Sequence, residues 1–261
     1  MKRATRRRLR DGVLYAVLLA GVATVALVAD WHAIRLNFLD TPTFKKLWPD
    51  LVTVAAVNTI KYTAIAFGGG LALALALALL KLSPVAVYRW LATIYIELFR
   101  GVPALVVIIL MAFGIPLAFG WFPPGGAVGA GVVALIMVSA AYMAETLRAG
   151  LQAVPKGQVE AAKSLGMSGT WTLFSVVLPQ AIRIVIPPLT NEFVLLLKDT
   201  SLLSVVGMQA DQVDLTQFGR NELNILANPT PLIAISVMYI LISVPLTRLV
   251  AWMEKKQQRT R

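Results

Sequence analysis

Residues 154–166 read VPKGQVEAAKSLG, a polar stretch that stands between long apolar segments. Pro155 can end one helix and lead into the next, because its fixed φ suits a first turn. Gly166 is placed to stop the following helix in a left-handed cap. We expect Glu160 in the first turn of this helix, where a carboxylate favours the positive end of the dipole. The stretch predicts a short polar helix outside the apolar part of the fold.

The small side chains of this helix bear on its role. Ala161 and Ala162 have small side chains, so the surface of a second protein can approach the helix closely. That composition suits docking to a partner better than catalysis. An ordinary amphipathic loop helix explains the same residues, and the pattern alone leaves both interpretations open.

The segments around this stretch are those of an integral membrane protein. The chain of 261 residues is 58% hydrophobic and 14% charged, whereas soluble domains are about 45–50% apolar and about 25% charged. A helix needs about 20 apolar residues to cross a bilayer. The segments that meet this requirement are Val13–Ala29, Leu51–Leu80, Trp90–Phe119, Val128–Leu147, Val176–Leu197 and Leu232–Trp252.

Two of these segments have ambiguous patterns. Residues 71–80 alternate Leu and Ala as a strand would, but Leu and Ala are strong helix formers and the run is long, so we predict a helix. The fifth segment contains Pro179, Pro187 and Pro188, and we expect these residues to interrupt it.

The basic residues orient the chain in the membrane. The run MKRATRRRLR at residues 1–10 and the stretch after residue 253 are strongly basic, which places both ends in the cytoplasm. A basic arm for nucleic acid is the alternative interpretation of residues 1–10, but an apolar span follows at once and we predict no nucleic-acid partner. No small-residue cleavage pattern follows this span, so we expect it to be retained.

Several classes of function lack the residues they need. The chain has no cysteine and only one histidine, His32, so no metal site is expected. It has no GxxxxGK(S/T) loop for ATP and neither an HExxH nor a GxSxG motif for hydrolysis. The sequence therefore predicts a protein that is not an enzyme and binds no cofactor.

The polar stretch resembles the EAA loop of ABC importer permeases. The pattern is Glu160-Ala161-Ala162, then Gly166, then Val176, Leu178 and Pro179, with Val176 where the family usually has Ile. In that family this loop is the coupling helix, which inserts into a groove on the ATPase subunit. The resemblance implies that the coupling residues are Glu160, Ala161, Ala162, Leu165 and Gly166.

Three further stretches are similar to those of polar amino acid permeases. They are ELFRGVP at 97–103, AYMAE at 141–145 followed by RAG at 148–150, and LLKDTSL at 196–202. The resemblance runs from about residue 51 to 252. It implies an all-α integral membrane protein with the type I ABC importer permease bundle, a five-helix core plus one extra N-terminal transmembrane helix.

The resemblance also implies an organisation and a set of partners. Residues 1–50 would form a basic cytoplasmic tail, the first transmembrane helix and an outer linker. Residues 51–252 would form the permease domain with its coupling loop at 150–175, and residues 253–261 a basic cytoplasmic tail. The expected partners are ATPase subunits that carry ATP and Mg²⁺, a second permease subunit, an extracytoplasmic solute-binding protein and the lipid bilayer of a bacterial inner membrane.

Charges within the spans suggest where solute passes, because such charges are costly. Arg100 could hold the α-carboxylate of an amino acid, or Glu97 on the same face could neutralise it. Glu145 shares one helical face with Ser139 and Tyr142. It could bind an ammonium group or pair with Arg148. The remaining candidate pathway residues are Asn191, Glu192, Asp199, Thr200 and Ser201, and the family resemblance suggests that the stretch from Lys198 to Ser201 shapes an outer gate.

Two alternatives remain for the transported solute and the energy source. The coupling loop is shared with permeases for methionine or osmoprotectants. An ion-driven secondary transporter is the other class, although it needs no docking loop. An outer polar loop of about thirty residues, with Asp211, Asp214 and Glu222, could contact a binding protein or simply be solvated.

Overall fold

The computed structural model describes residues 3–258, with side chains described for residues 10–256, and this part of the chain consists of helices and their connections, with no strand. The end of the predicted C-terminal tail, 259–261, and residues 1–2 lie outside this range. The helices are α1 Arg3–Val28, α2 Trp31–Phe38, α3 Thr41–Asp50, α4 Val57–Leu82, α5 Ala86–Gly101, α6 Ala104–Ile109, α7 Ile115–Phe119, α8 Gly126–Gln152, α9 Lys156–Ser164, α10 Gly169–Thr172, α11 Leu178–Asp199, α12 Leu215–Leu226 and α13 Thr230–Gln258. Short π-helical turns at Leu51–Ala56, Leu110–Gly114 and Leu173–Val177 continue these helices, and a 3₁₀ turn at Thr200–Val205 follows α11.

Within residues 3–258, five helical segments are long and apolar enough to cross a membrane, and a bent pair of helices forms a sixth if it is one span. These segments overlap the predicted spans, and the Leu–Ala alternation at 71–80 is helical, as expected. The predicted outer linker is helical too, since α2 and α3 occupy most of it.

The third predicted span, Trp90–Phe119, is divided into two helical parts at Gly101 to Pro103, the residues expected to disturb it. The chain bends by 103° between α5 and α6. Val102 has extended backbone angles, φ −100° and ψ 132°, and Pro103 precedes the first residue of α6. A proline disfavours helical angles in the residue before it and has no N–H to donate, which explains the break.

The expected interruption of the fifth span is wrong. Helix α11 runs without a break from Leu178 to Asp199 and contains Pro187 and Pro188. Pro179 lies just after the π-helical turn Leu173–Val177, so it too lies within a continuous helical run. Because α11 packs against α4, α8 and α13, the surrounding helices hold the proline pair in helical geometry.

The outer segment between α11 and α13 is not a loop of thirty residues. It contains the 3₁₀ turn and α12. Asp214 caps α12, since its side chain accepts a hydrogen bond from the backbone N–H of Gln217 at 2.8 Å. Asp is among the preferred capping residues, and Leu215 and Phe218 bury the inner face of the helix.

Helix α8 lies at the centre of the bundle and contacts α4, α5, α6 and α11. Its buried residues join two clusters, one around Ile108, Leu135 and Leu203 and another around Ile96 and Met143. In contrast, residues 10–28 of α1 contribute no buried side chain. The packed body therefore begins after α1, in keeping with an extra N-terminal helix beside a core.

Candidate functional site

A cavity of about 490 Å³ opens beside the bend between α5 and α6. The bend supplies Arg100 and the backbone from Gly101 to Ala104 to its wall. The polar side chains opposite are Ser139 and Tyr142 of α8 and Glu192 and Asp199 of α11, and the apolar lining is Leu135, Val138, Leu195 and Leu196. The cavity thus brings together three elements that are far apart in sequence.

Arg100 reaches this cavity from the last turn of α5. Its guanidinium carbon lies 5.6 Å from the centroid of the Tyr142 ring, a cation–π distance. No carboxylate among residues 10–256 forms an ion pair with Arg100, and this includes Glu97. The geometry therefore does not support neutralisation by Glu97, and the guanidinium faces the cavity with its donors available.

Two carboxylates line the wall opposite. Glu192 and Asp199 lie seven residues apart, two turns along the same face of α11, and both are half-buried. Neither forms an ion pair with the described residues. With Arg100, the cavity carries one positive and two negative groups, an arrangement that complements a molecule with a carboxylate and one or more ammonium groups.

Glu145 does not line this cavity. One of its oxygens accepts a hydrogen bond from Lys81 of α4, and the other accepts from Arg148 at 2.9 and 2.7 Å. The pairing with Arg148 is therefore present, and Lys81 is a partner that sequence reasoning missed. Lys81 lies in the last turn of α4. It reaches Glu145 because α4 packs closely along α8, and the sequence alone does not show this packing.

Three other candidate pathway residues also lie outside the cavity lining. Asn191 is exposed on another face of α11, and Ser201 is partly buried in the 3₁₀ turn. Thr200 is fully buried, and its hydroxyl donates to the carbonyl of Leu197 at 2.7 Å. These positions favour a role for Thr200 in ending α11 rather than in contacting solute.

The predicted polar helix is α9, and its C-terminal cap has the expected geometry. Gly166 has φ +78°. Its N–H donates to the carbonyl of Lys163 at 2.9 Å, and the N–H of Met167 donates to Ala162 at 3.2 Å. This pair of bonds is the Schellman motif, in which glycine relieves the strain of left-handed backbone.

Two details of α9 differ from the sequence prediction. Glu160 is the fifth residue of the helix, so the prediction that it lies in the first turn is wrong, because the helix begins at Lys156 directly after Pro155. Ala162 is buried at 5% exposure and faces the protein's own body. Glu160, Ala161 and Leu165 are exposed, and the side chain of Leu165 is 85% exposed.

The sequence profile of the family described as "Binding-protein-dependent transport system inner membrane component" matches residues 68–259. The chain belongs to this family. It is a multi-pass membrane permease subunit of a transport system and not an enzyme.

Characterised relatives of this permease are subunits of amino acid ABC transporters. The probable glutamine ABC transporter permease protein GlnM of Bacillus subtilis (strain 168) is 35% identical over 208 residues, which cover 78% of this chain and 91% of that protein. The arginine transport system permease protein ArtQ of the same organism is 33% identical and covers 76% and 88%. The L-cystine transport system permease protein TcyB, also of that organism, is 36% identical and covers 70% and 73%.

Solved structures agree with the permease fold. The crystal structure of an amino acid ABC transporter with histidines aligns with a TM-score of 0.75 and 35% identity, over 83% of this chain and 98% of that chain. A bacterial ABC transporter involved in the import of alginate aligns over 99% of both chains at 15% identity with a TM-score of 0.63, which shows a shared fold. Together these matches confirm the expected type I ABC importer permease bundle.

Proposed function

We propose that this permease subunit translocates polar amino acids into the cytoplasm, and that the cavity at the α5–α6 bend is part of their path. The observation that carries the proposal is the placement of Arg100 opposite Glu192 and Asp199 in one cavity. A guanidinium binds a carboxylate through a planar pair of donors. The two carboxylates can accept from the α-ammonium group and from a second cationic or polar group.

The relatives support this solute class. Proteins named for glutamine, arginine and cystine share 33–36% identity with this chain over most of its length. All three solutes carry an α-carboxylate and an α-ammonium group. Arg100 would hold the first group and Glu192 or Asp199 the second, while the pocket walls would select the side chain.

The energy would come from partner subunits. In this proposal, ATPase subunits that bind ATP and Mg²⁺ dock on Glu160, Ala161, Leu165 and Gly166 of the α9 region. A second permease subunit would complete the pore, and an extracytoplasmic binding protein would deliver solute. Both termini would lie in the cytoplasm of a bacterium, with the chain in the inner membrane.

Competition for uptake tests this proposal. The complete transporter, in cells or reconstituted vesicles, would take up a labelled polar amino acid, and we expect unlabelled amino acids to compete while their α-amides, which lack the carboxylate, do not. Arg100→Gln should lower the apparent affinity by about 10- to 100-fold, the value of a hydrogen bond to a charged group.

Arg35→Gln is the matched control and should transport normally, because Arg35 is an exposed residue of α2 that does not line this cavity. Normal transport by Arg100→Gln, or equal competition by the α-amides, would remove Arg100 from the path. Loss of uptake for another class of solute on deletion of the gene, with amino acid uptake unchanged, would overturn the solute class.

A further inference from the structure

A second cavity of about 350 Å³ lies on another side of α8 and shares no residue with the first. Helix α4, the start of α8 and the segment around Asp211 enclose it. It is polar at one end and apolar along the rest.

The polar end carries two charges of opposite sign. Lys61 of α4 and Asp211 both line the cavity and both are exposed to it. Within the described side chains, neither residue takes part in an ion pair. A lysine in an apolar helix is costly unless a partner compensates its charge, and none of the described carboxylates pairs with Lys61.

The segment that carries Asp211 is fixed firmly to α4. The Asn58 side-chain amide donates to the carbonyls of Asp211 at 2.8 Å and Val213 at 3.1 Å. The Tyr62 hydroxyl donates to the carbonyl of Gln212 at 2.8 Å. Lys61 and Asp211 are thus held at the same end of the cavity by backbone anchors and not by each other.

The apolar end continues along both helices into the membrane-spanning region. On α4 it is lined by Ile65, one turn beyond Lys61, and on α8 it runs from Val128 to Ile136, a distance of about 12 Å at the rise of an α-helix. Ile65 is 47% exposed, so this part of the cavity is open at its side. The result is a groove that fits an amphiphile with a charged head and a hydrocarbon chain.

We propose that this groove binds a phospholipid whose headgroup carries both a phosphate and a primary ammonium group. Lys61 pairs with the phosphate, Asp211 accepts from the ammonium group, and an acyl chain lies over Ile65, Val133 and Ile136. Charge complementarity selects this headgroup, because a purely anionic one leaves Asp211 without a partner. A free amino acid carries the same two charges but leaves the apolar part of the groove unfilled.

Native mass spectrometry of the purified full-length chain tests the assignment with three added lipids. They are phosphatidylethanolamine, phosphatidylglycerol, which has no ammonium group, and phosphatidylcholine, whose trimethylated nitrogen cannot donate. We expect phosphatidylethanolamine to bind best. Lys61→Gln should weaken its binding roughly fivefold, the contribution of one basic residue at a membrane surface, while Lys61→Arg retains it.

Asp211→Asn should weaken binding of phosphatidylethanolamine but not of phosphatidylglycerol. Lys46→Gln is the matched control, since Lys46 is exposed on α3 outside the groove and should leave all three lipids unchanged. Equal binding of phosphatidylethanolamine by wild type and Lys61→Gln would overturn the proposal. Displacement of the lipid by free O-phosphoethanolamine or by amino acids at equal concentration would also overturn it, because the groove would then bind the soluble head alone.

Discussion

Arg100 of α5 and Tyr142 of α8 form a cation–π contact of 5.6 Å between two helices that pack against each other. The ring of Tyr142 lies beside the cavity that both residues line. It therefore holds the guanidinium on one side while leaving its N–H groups directed at the cavity.

Replacing this ring should change affinity for solute more than stability. Tyr142→Leu removes the stacking surface, worth about 0.5–1 kcal/mol at an exposed site, and should raise the KM for uptake about two- to fivefold. Tyr142→Phe keeps the ring and should retain the wild-type KM. A KM for Tyr142→Phe that rises as much as that of Tyr142→Leu would show that the hydroxyl, and not the ring, matters.

The Glu145 network should stabilise the packing of α4 on α8. Its side chain is 17% exposed and is shared by Lys81 and Arg148, so Glu145→Gln leaves two cations without a carboxylate. We expect a loss of about 1–3 kcal/mol in the free energy of unfolding, measured by thermal denaturation in detergent.

The control for this network is Asp11→Asn, which breaks an exposed pair with Arg10 and should change stability by less than about 1 kcal/mol. Adding Lys81→Met to Glu145→Gln should recover part of the loss, because it removes one unpaired cation. Equal stability of Glu145→Gln and wild type would show that the network contributes nothing measurable.

The cap of α9 should affect the ATPase partner. Gly166 has φ +78° and open space around it, so Gly166→Ala costs about 1–2 kcal/mol of local strain and should loosen the end of the helix. We expect less ATPase subunit to co-purify with this variant. Gly157→Ala, in the same helix with ordinary φ and open space, should co-purify normally. Equal co-purification of both variants would contradict a coupling role for this cap.

The contact of α8 with α11 should tolerate no side chain at Gly150. A Cβ there would overlap Cγ1 of Val185, whose β-branched side chain cannot easily turn away. Gly150→Ala should lower the free energy of unfolding by about 1–3 kcal/mol. Gly68→Ala, with nothing within 4 Å, should not destabilise, and Val185→Ala should rescue Gly150→Ala. A stable Gly150→Ala single variant would show that the two helices can separate without cost.

The cap of α12 should make stability depend on pH. Burial raises the pKa of Asp214 from 3.8 to about 6, and hydrogen bonds from the backbone N–H groups of Gln217 and Thr216 oppose this rise. Its second oxygen is buried without a hydrogen-bond partner among the described residues. The folded state therefore binds a proton more tightly than the unfolded state.

For a carboxyl group whose folded pKa is raised, this stabilisation is full below pH 3.8 and is lost as the pH rises through about 6. Relative to Asp214→Asn, which keeps a capping side chain, the wild type should lose on the order of 2–3 kcal/mol between pH 4 and pH 7.5. Thermal denaturation over this range measures it, and Asp211→Asn, an exposed neighbour, should follow the wild type. If the stability of wild type and of Asp214→Asn depended on pH in the same way, the raised pKa of the buried Asp214 carboxyl would be contradicted.

The sequence by itself determined the fold class, the membrane location and the short polar helix α9. These depend on local properties, namely the length of apolar runs, the preference of glycine for left-handed backbone at Gly166, and the placement of Pro155 before a helix. The same local reasoning identified Arg100, Tyr142, Glu192 and Asp199 as charges or polar groups that need an explanation.

Only the tertiary structure decided which of these residues meet. The packing of α5 on α8 brings Arg100 to Tyr142. The chain bends by 103° at Pro103, whereas α11 continues through Pro187 and Pro188, so a proline alone does not determine a break. Glu145 accepts a hydrogen bond from Lys81, which lies on a helix more than sixty residues earlier in the chain. Such contacts depend on how helices pack against one another, and packing energies between distant segments override the local preferences that a sequence displays.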